Sequence, residues 1–91
     1  MQEKYKKDRE FLCKLLGVAV KNFRENKAKS ISLVSDEADL SKSIWADLEK
    51  GKKDPQFTTL WRISEGLGIK MSELFEYMEN EIPEGWSLTE N

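Results

Sequence analysis

The sequence predicts an all-α fold: a compact five-helix domain with an extended first helix and a short C-terminal tail. Three observations carry that expectation. Apolar residues recur at spacings of three and four along most of the chain, which lines one face of a helix, whereas a half-buried strand would alternate. Serines stand directly before two of these periodic segments and glycines directly after two, as helix caps and stops do. Ninety-one residues with 38% apolar and 35% charged content suit one small, charge-rich domain with a modest core.

The first helix is expected from about Asp8 to Glu25. Leu12, Leu16, Ala19, Val20 and Phe23 share a face, and Phe11 and Leu15 widen it. The basic lead-in "KYKK" is expected to fray. The second helix spans Ile31 to Ala38, with Ser30 as N-cap and Ile31, Val34 and Ala38 on one side. Its β-branched residues and serines are weak helix formers, so tertiary contacts must hold it. The third helix starts at Lys42 behind the N-cap Ser41 and ends near Lys50. Gly51 comes next, placed for the left-handed conformation that ends many helices. Asp54 is biased away from helix by Pro55. The fourth helix is Phe57 to Leu67, with Phe57, Leu60, Trp61 and Ile63 apolar and Gly68 as its stop. The fifth is Met71 to about Asn80, with Met71, Leu74, Phe75 and Met78 at helical spacing. Residues 1–80 then form the domain, with its motif at 31–50, and residues 81–91 form the tail.

Composition narrows the function. One cysteine, Cys13, and no histidine leave no internal disulfide and effectively no zinc site. Cys13, beside Leu12, reads as a small buried hydrophobe. The carboxylates lack calcium-loop spacing, and "GLG" at 66–68 reads as a helix end, not a nucleotide loop. No catalytic constellation is present, so neither an enzyme nor a cofactor is expected. No apolar run reaches the ~18 residues of a membrane span, and "MQEKYKKDRE" is no secretory signal; the expected address is the cytoplasm. The net charge is −2, but it is unevenly spread. Residues 1–70 hold all 15 Lys and Arg against 11 Asp and Glu, a balance of +4, while residues 71–91 carry six Glu and no cation. A mildly basic body with an acidic end is compatible with nucleic-acid binding through one face.

Only "ADLS" separates the second and third helices, and a short turn before a serine-capped helix is the helix-turn-helix arrangement. The stretch Leu16 to Phe75, with "LGVAVKNFRE", "LVSDEADLSKSIWADLEKGKKDP" and "LWRISEGLGIKMSELF", resembles the lambda-repressor/Cro-like (XRE-type) helix-turn-helix family. That resemblance implies a lambda-repressor-like five-helix fold and a sequence-specific DNA-binding transcriptional regulator of the repressor kind, with double-stranded DNA as partner. It implies that Lys42, Ser43, Ala46 and Asp47 face the bases, with Ile44 at the rim, where it touches a thymine methyl or belongs to the edge of the core. It implies that Lys50, Lys52 and Lys53 meet phosphates and that Arg24 pairs with Glu49 as a structural clamp. Trp45 and Leu48 match inward positions.

Three positions depart from the family pattern. Ile31 replaces a phosphate-bonding glutamine, Ser35 a small alanine, and Asp39 the turn glycine. Asp39 is tolerable there because aspartate adopts left-handed geometry more readily than most residues. Asp47 would be repelled by phosphate, yet in the groove its carboxylate can accept from cytosine N4. The family often dimerises through the fifth helix and the segment after it. Met78, Ile82 and Trp86 are therefore expected either to contribute to a homodimer or to fold back on their own domain. The competing reading is a protein-interaction module that keeps the fold without DNA readout, which net acidity, Ile31 and Asp47 favour.

Overall fold

The computed structural model describes residues 2–89; Met1, Glu90 and Asn91, the ends of the expected lead-in and tail, lie outside the described residues. Among the described residues five helices run in order: α1 (Gln2–Asn26), α2 (Ile31–Glu37), α3 (Lys42–Glu49), α4 (Phe57–Leu67) and α5 (Met71–Glu81). Among the described residues there is no strand. The helix α1 packs on α3, α4 and α5, while α2 bridges α3 and α4.

Local chemistry explains most of the boundaries. Ser30 Oγ accepts from the Leu33 amide at 3.0 Å and starts α2. Ser41 Oγ accepts from the Ile44 amide at 3.1 Å and starts α3. At the end of α3, Gly51 takes φ 77°. Its amide donates to the Leu48 carbonyl at 3.1 Å, and the Lys52 amide to Asp47 at 3.0 Å. These two bonds satisfy carbonyls that a bare helix end would leave unpaired. Asp39 carries the left-handed turn between α2 and α3 at φ 58°, and the Leu40 amide returns to the Ser35 carbonyl at 2.8 Å. Glu73 starts α5 by accepting from the Lys70 amide at 3.0 Å.

The core is built from Val20, Val34, Trp45, Leu48, Ile63, Leu67 and Leu74, all fully buried or nearly so. Two glycines set how closely the layers approach. A Cβ at Gly17 would stand 2.5 Å from the Leu48 carbonyl oxygen and 2.7 Å from that of Glu49, so α1 rests directly on the backbone of α3. A Cβ at Gly66 would stand 2.8 Å from the Val34 carbonyl oxygen, so α4 rests on α2 in the same way. Ser35, at the place of a small alanine, is buried and donates its hydroxyl to the Ser32 carbonyl at 3.1 Å, which removes the penalty for burying it.

Several expectations are corrected. The helix α1 begins at Gln2, not near Asp8. Lys4 Nζ pairs with Asp8 Oδ2 at 2.6 Å one turn on and donates to the Ser87 carbonyl at 3.1 Å. Trp86 meets Phe11 with ring centroids 5.4 Å apart. The tail thus lies along the first turns of α1, and "KYKK" is helical. Met78 is buried in its own core, and Trp86 takes the fold-back option. On α4, whose apolar residues the sequence did not sort into buried and exposed, Ile63 is buried and Leu60 partly so, while Phe57 and Trp61 are 65% and 50% exposed, paired edge-on at 5.9 Å. Periodicity places apolar residues on a helix face without saying how much of that face a neighbour covers. Cys13 is half-buried, not buried. It lines an open apolar cleft with Leu12, Leu16, Pro55, Leu60, Phe75 and Met78.

Candidate nucleic-acid interface

The helix α3 has two faces. Trp45 and Leu48 are buried, while Lys42, Ser43 and Ile44 are exposed at its N-terminal end and Ala46 and Asp47 are half-buried along its flank. Ile44, 38% exposed, sits on the outside next to Ser43, whose hydroxyl lies 3.2 Å from that of Ser41. Lys50, Lys52 and Lys53 are exposed where the chain leaves α3. Ile31 is half-buried and packs against the core. Its side chain offers no donor to a phosphate at the start of α2.

One carboxylate anchors this helix. Arg24 Nε donates to Glu49 Oε2 at 2.6 Å and Nη2 donates to Oε1 at 3.0 Å, a two-pronged ion pair between α1 and the last residue of α3. The hydrogen bond to Glu49 holds the Arg24 pKa above its ordinary value, against the opposing effect of burial. A third guanidinium nitrogen, Nη1, donates to the Lys29 carbonyl at 3.1 Å, so the same side chain also fixes the α1–α2 turn. Trp45 Nε1 donates to Glu49 Oε2 at 2.8 Å. That bond satisfies the one polar atom of the largest core side chain. It is absent from the roles the family resemblance supplies. The signal was present in the sequence as Trp45 and Glu49 four apart, the spacing at which side chains meet on a helix.

Other contacts around the motif go beyond the sequence expectation. Arg62 Nη1 donates to the Asp39 carbonyl at 3.4 Å, linking α4 to the left-handed turn. Lys29 Nζ pairs with Glu37 at 3.1 Å. Arg9 Nε donates to Asp54 Oδ2 at 2.7 Å, tying the α3–α4 loop to α1. Arg9 and Asp54 lie 45 residues apart, and nothing local in either segment marks them as partners. Among the described residues, no group of three or more Cys, Asp or Glu side chains is arranged to hold a metal ion, and no helix is long and apolar enough to cross a membrane.

Residues 20–74 match the family model described as Helix-turn-helix. The control protein C.MunI of a Mycoplasma species is 35% identical over 66 residues, which cover 71% of this chain and 89% of that protein. The HTH-type transcriptional regulator SutR of Escherichia coli (strain K12) is 26% identical over 74 residues, 81% of this chain. That match spans 42% of SutR, less than half its length. Among solved structures, the clp gene regulator ClgR from C. glutamicum superposes with a TM-score of 0.74 at 20% identity, covering 80% of this chain and 95% of that one. The wild-type restriction-modification controller protein C.Esp1396I gives 0.74 at 20% identity, covering 78% and 92%. At that identity the two structures speak for the five-helix fold alone.

Proposed function

The chain belongs to the helix-turn-helix family, and on that premise we propose that it is a DNA-binding transcriptional regulator, sequence-specific and repressive, that reads the major groove with α3. What supports the reading is the division of α3 into a locked face and a free one. Trp45 and Leu48 are buried and Glu49 is held by Arg24, while Lys42, Ser43 and Ile44 project outward from the helix's N-terminal end. A reading helix must hold its side chains in one geometry relative to the base edges, and the clamp from α1 supplies that rigidity.

In this reading Lys42 and Ser43 donate to base or phosphate acceptors, and Ile44 touches a thymine methyl. Asp47 accepts from cytosine N4, and Ala46 is small enough to let the helix approach. Lys50, Lys52 and Lys53 contribute the sequence-independent part of the affinity by displacing counterions from phosphates. The regulator acts as a homodimer on two half-sites about one helical turn, ~34 Å, apart. Its surface for that pairing draws on the exposed apolar side chains Phe75 of α5 and Phe57 and Trp61 of α4, with Ile82, because Met78 and Trp86 are engaged within the chain.

Selection of binding sites from randomised duplexes, repeated at two salt concentrations, tests the reading. An enriched two-fold site whose occupancy falls steeply with salt is expected. Recovery of no enriched site, with no salt-sensitive binding, overturns it in favour of a protein-interaction module, a reading that the half-buried Ile31 at the usual phosphate position keeps in play.

A further inference from the structure

The α3–α4 loop does not stand alone: it runs back along α1. Gly17 lies against the carbonyls of Leu48 and Glu49. Further toward the N-terminus of α1, Lys14 lies against Gly51, where a Cβ would stand 2.7 Å from Lys14 Cγ and 2.8 Å from its Cα. Further still, Arg9 bonds Asp54 at 2.7 Å. Arg9 and Lys14 both precede the segment 20–74 that the family model matches.

The charges along this seam are arranged unevenly. Lys50, Lys52 and Lys53 are exposed, and so is Lys14, whose side chain leaves α1 beside the glycine between Lys50 and Lys52. Among the described residues none of these four lysines forms an ion pair. The one carboxylate of the loop, Asp54, is occupied by Arg9. That hydrogen bond raises the Arg9 pKa above an already high ordinary value, so the guanidinium stays charged. Like charges gathered in this way repel one another in the free protein and gain most from a polyanion.

We propose that α1 completes a phosphate-binding surface: Lys14 joins Lys50, Lys52 and Lys53 on the DNA backbone, and Arg9 assists indirectly by neutralising Asp54. The proposal rests on the reading of this chain as a DNA-binding protein and adds to it a contact from outside the motif. Lys14 is a direct phosphate ligand. Arg9 is a positioning and charge-compensating residue that touches no DNA.

The test is binding of the full chain to a random-sequence duplex and to duplexes recovered by selection, monitored by fluorescence anisotropy over about 50 to 200 mM salt. Lys14→Ala flattens the log–log salt slope by about one unit per bound protomer on both duplexes and leaves base preference unchanged. Arg9→Ala exposes the Asp54 carboxylate near the phosphates and weakens binding about two- to threefold, the scale of one like charge roughly 6–10 Å away in water. Asp54→Asn added to Arg9→Ala restores the lost affinity. The double variant also lacks the tether, so a role confined to holding the loop predicts no rescue. Among the described residues Lys14 forms no ion pair that its replacement would break, and far-UV circular dichroism confirms that each variant is folded. An unchanged slope for Lys14→Ala, or no rescue of Arg9→Ala, overturns this proposal while leaving the DNA-binding reading standing. Absence of salt-dependent binding by the wild-type chain overturns both.

Discussion

Replacing Glu49 by alanine removes the acceptor for three hydrogen bonds at once: two from Arg24, at 2.6 and 3.0 Å, and one from Trp45 Nε1 at 2.8 Å. Trp45 has no exposed surface, so its indole N–H is left without a partner, at a cost of about 1–3 kcal/mol. Arg24 loses charge-assisted bonds, worth about 1.5–3 kcal/mol where the pair is well desolvated. Breaking a buried pair costs about 3–5 kcal/mol in all. Here the side chains keep 14% and 8% of their exposure and Arg24 keeps its bond to the Lys29 carbonyl, which argues for the lower end, about 3 kcal/mol. Against a total of roughly 5–15 kcal/mol for a domain, that is a large loss. Urea unfolding monitored by circular dichroism should show a midpoint lowered by about 2 M at a typical slope for so small a chain. Glu49→Gln retains one acceptor oxygen but no charge, and should lose about 1.5–3 kcal/mol, no more than the alanine variant. In a Trp45→Phe background, which has no indole donor, Glu49→Ala should cost about 1 kcal/mol less than in the wild type. A loss below about 1 kcal/mol for Glu49→Ala, or an equal loss in both backgrounds, would refute the shared-carboxylate account. A raised Arg24 pKa means its stabilisation is fully present below the ordinary arginine value and is lost only as pH climbs through the strongly alkaline range, so titration of Arg24 gives no change in stability between about pH 5 and 9.

Gly17→Ala should be destabilising although alanine is the better helix former. The new Cβ would meet the Leu48 and Glu49 carbonyl oxygens at 2.5 and 2.7 Å, an overpacking cost of about 1–3 kcal/mol, and backbone cannot yield as a flexible side chain would. After the gain of about 1 kcal/mol in propensity, a net loss of up to about 2 kcal/mol is expected in the same urea assay, and a stabilised variant would contradict the close approach. Lys52→Ala with Lys53→Ala should weaken binding to all duplexes alike and flatten the salt slope by about two units per bound protomer, read by anisotropy; a changed base preference would count against phosphate contact. Cys13 should react slowly with iodoacetamide at mildly alkaline pH and speed up in urea, because burial raises its pKa and keeps the thiol protonated. The folded chain holds this proton more tightly than the unfolded one, so the contribution to stability is full below the ordinary thiol pKa and is lost as pH rises through the raised folded value. Equal alkylation rates in the folded and unfolded chain would show the thiol to be open.

Much of the fold was legible along the chain. Ser30 and Ser41 as caps and Gly51 as a left-handed turn accord with local rules, since a cap or a turn is decided by a few adjacent residues; Asp39 as the turn residue and the inward placement of Trp45 and Leu48 came through family resemblance. The Arg24–Glu49 clamp came through family resemblance rather than spacing, whereas the Trp45–Glu49 bond is one that helical spacing permits without singling it out. The features that the sequence misplaced or left open have a common cause. The start of α1 depends on Ser87 and Trp86 at the other end of the chain. The exposure of Phe57 and Trp61 depends on how far the neighbouring helices reach across α4.

Periodicity and capping were therefore enough to establish five helices and their order, because helix formation and its termination are short-range; the helix-turn-helix followed from the family resemblance. Packing settled what sequence spacing leaves open: that α1 rests on the bare backbone of α3 at Gly17, that the tail closes over its first turns, and that Arg9 and Lys14 come to lie beside the loop lysines. Contacts between residues some 30 to 80 positions apart are made by the way helices stack, and a local pattern carries no record of which helix will be its neighbour.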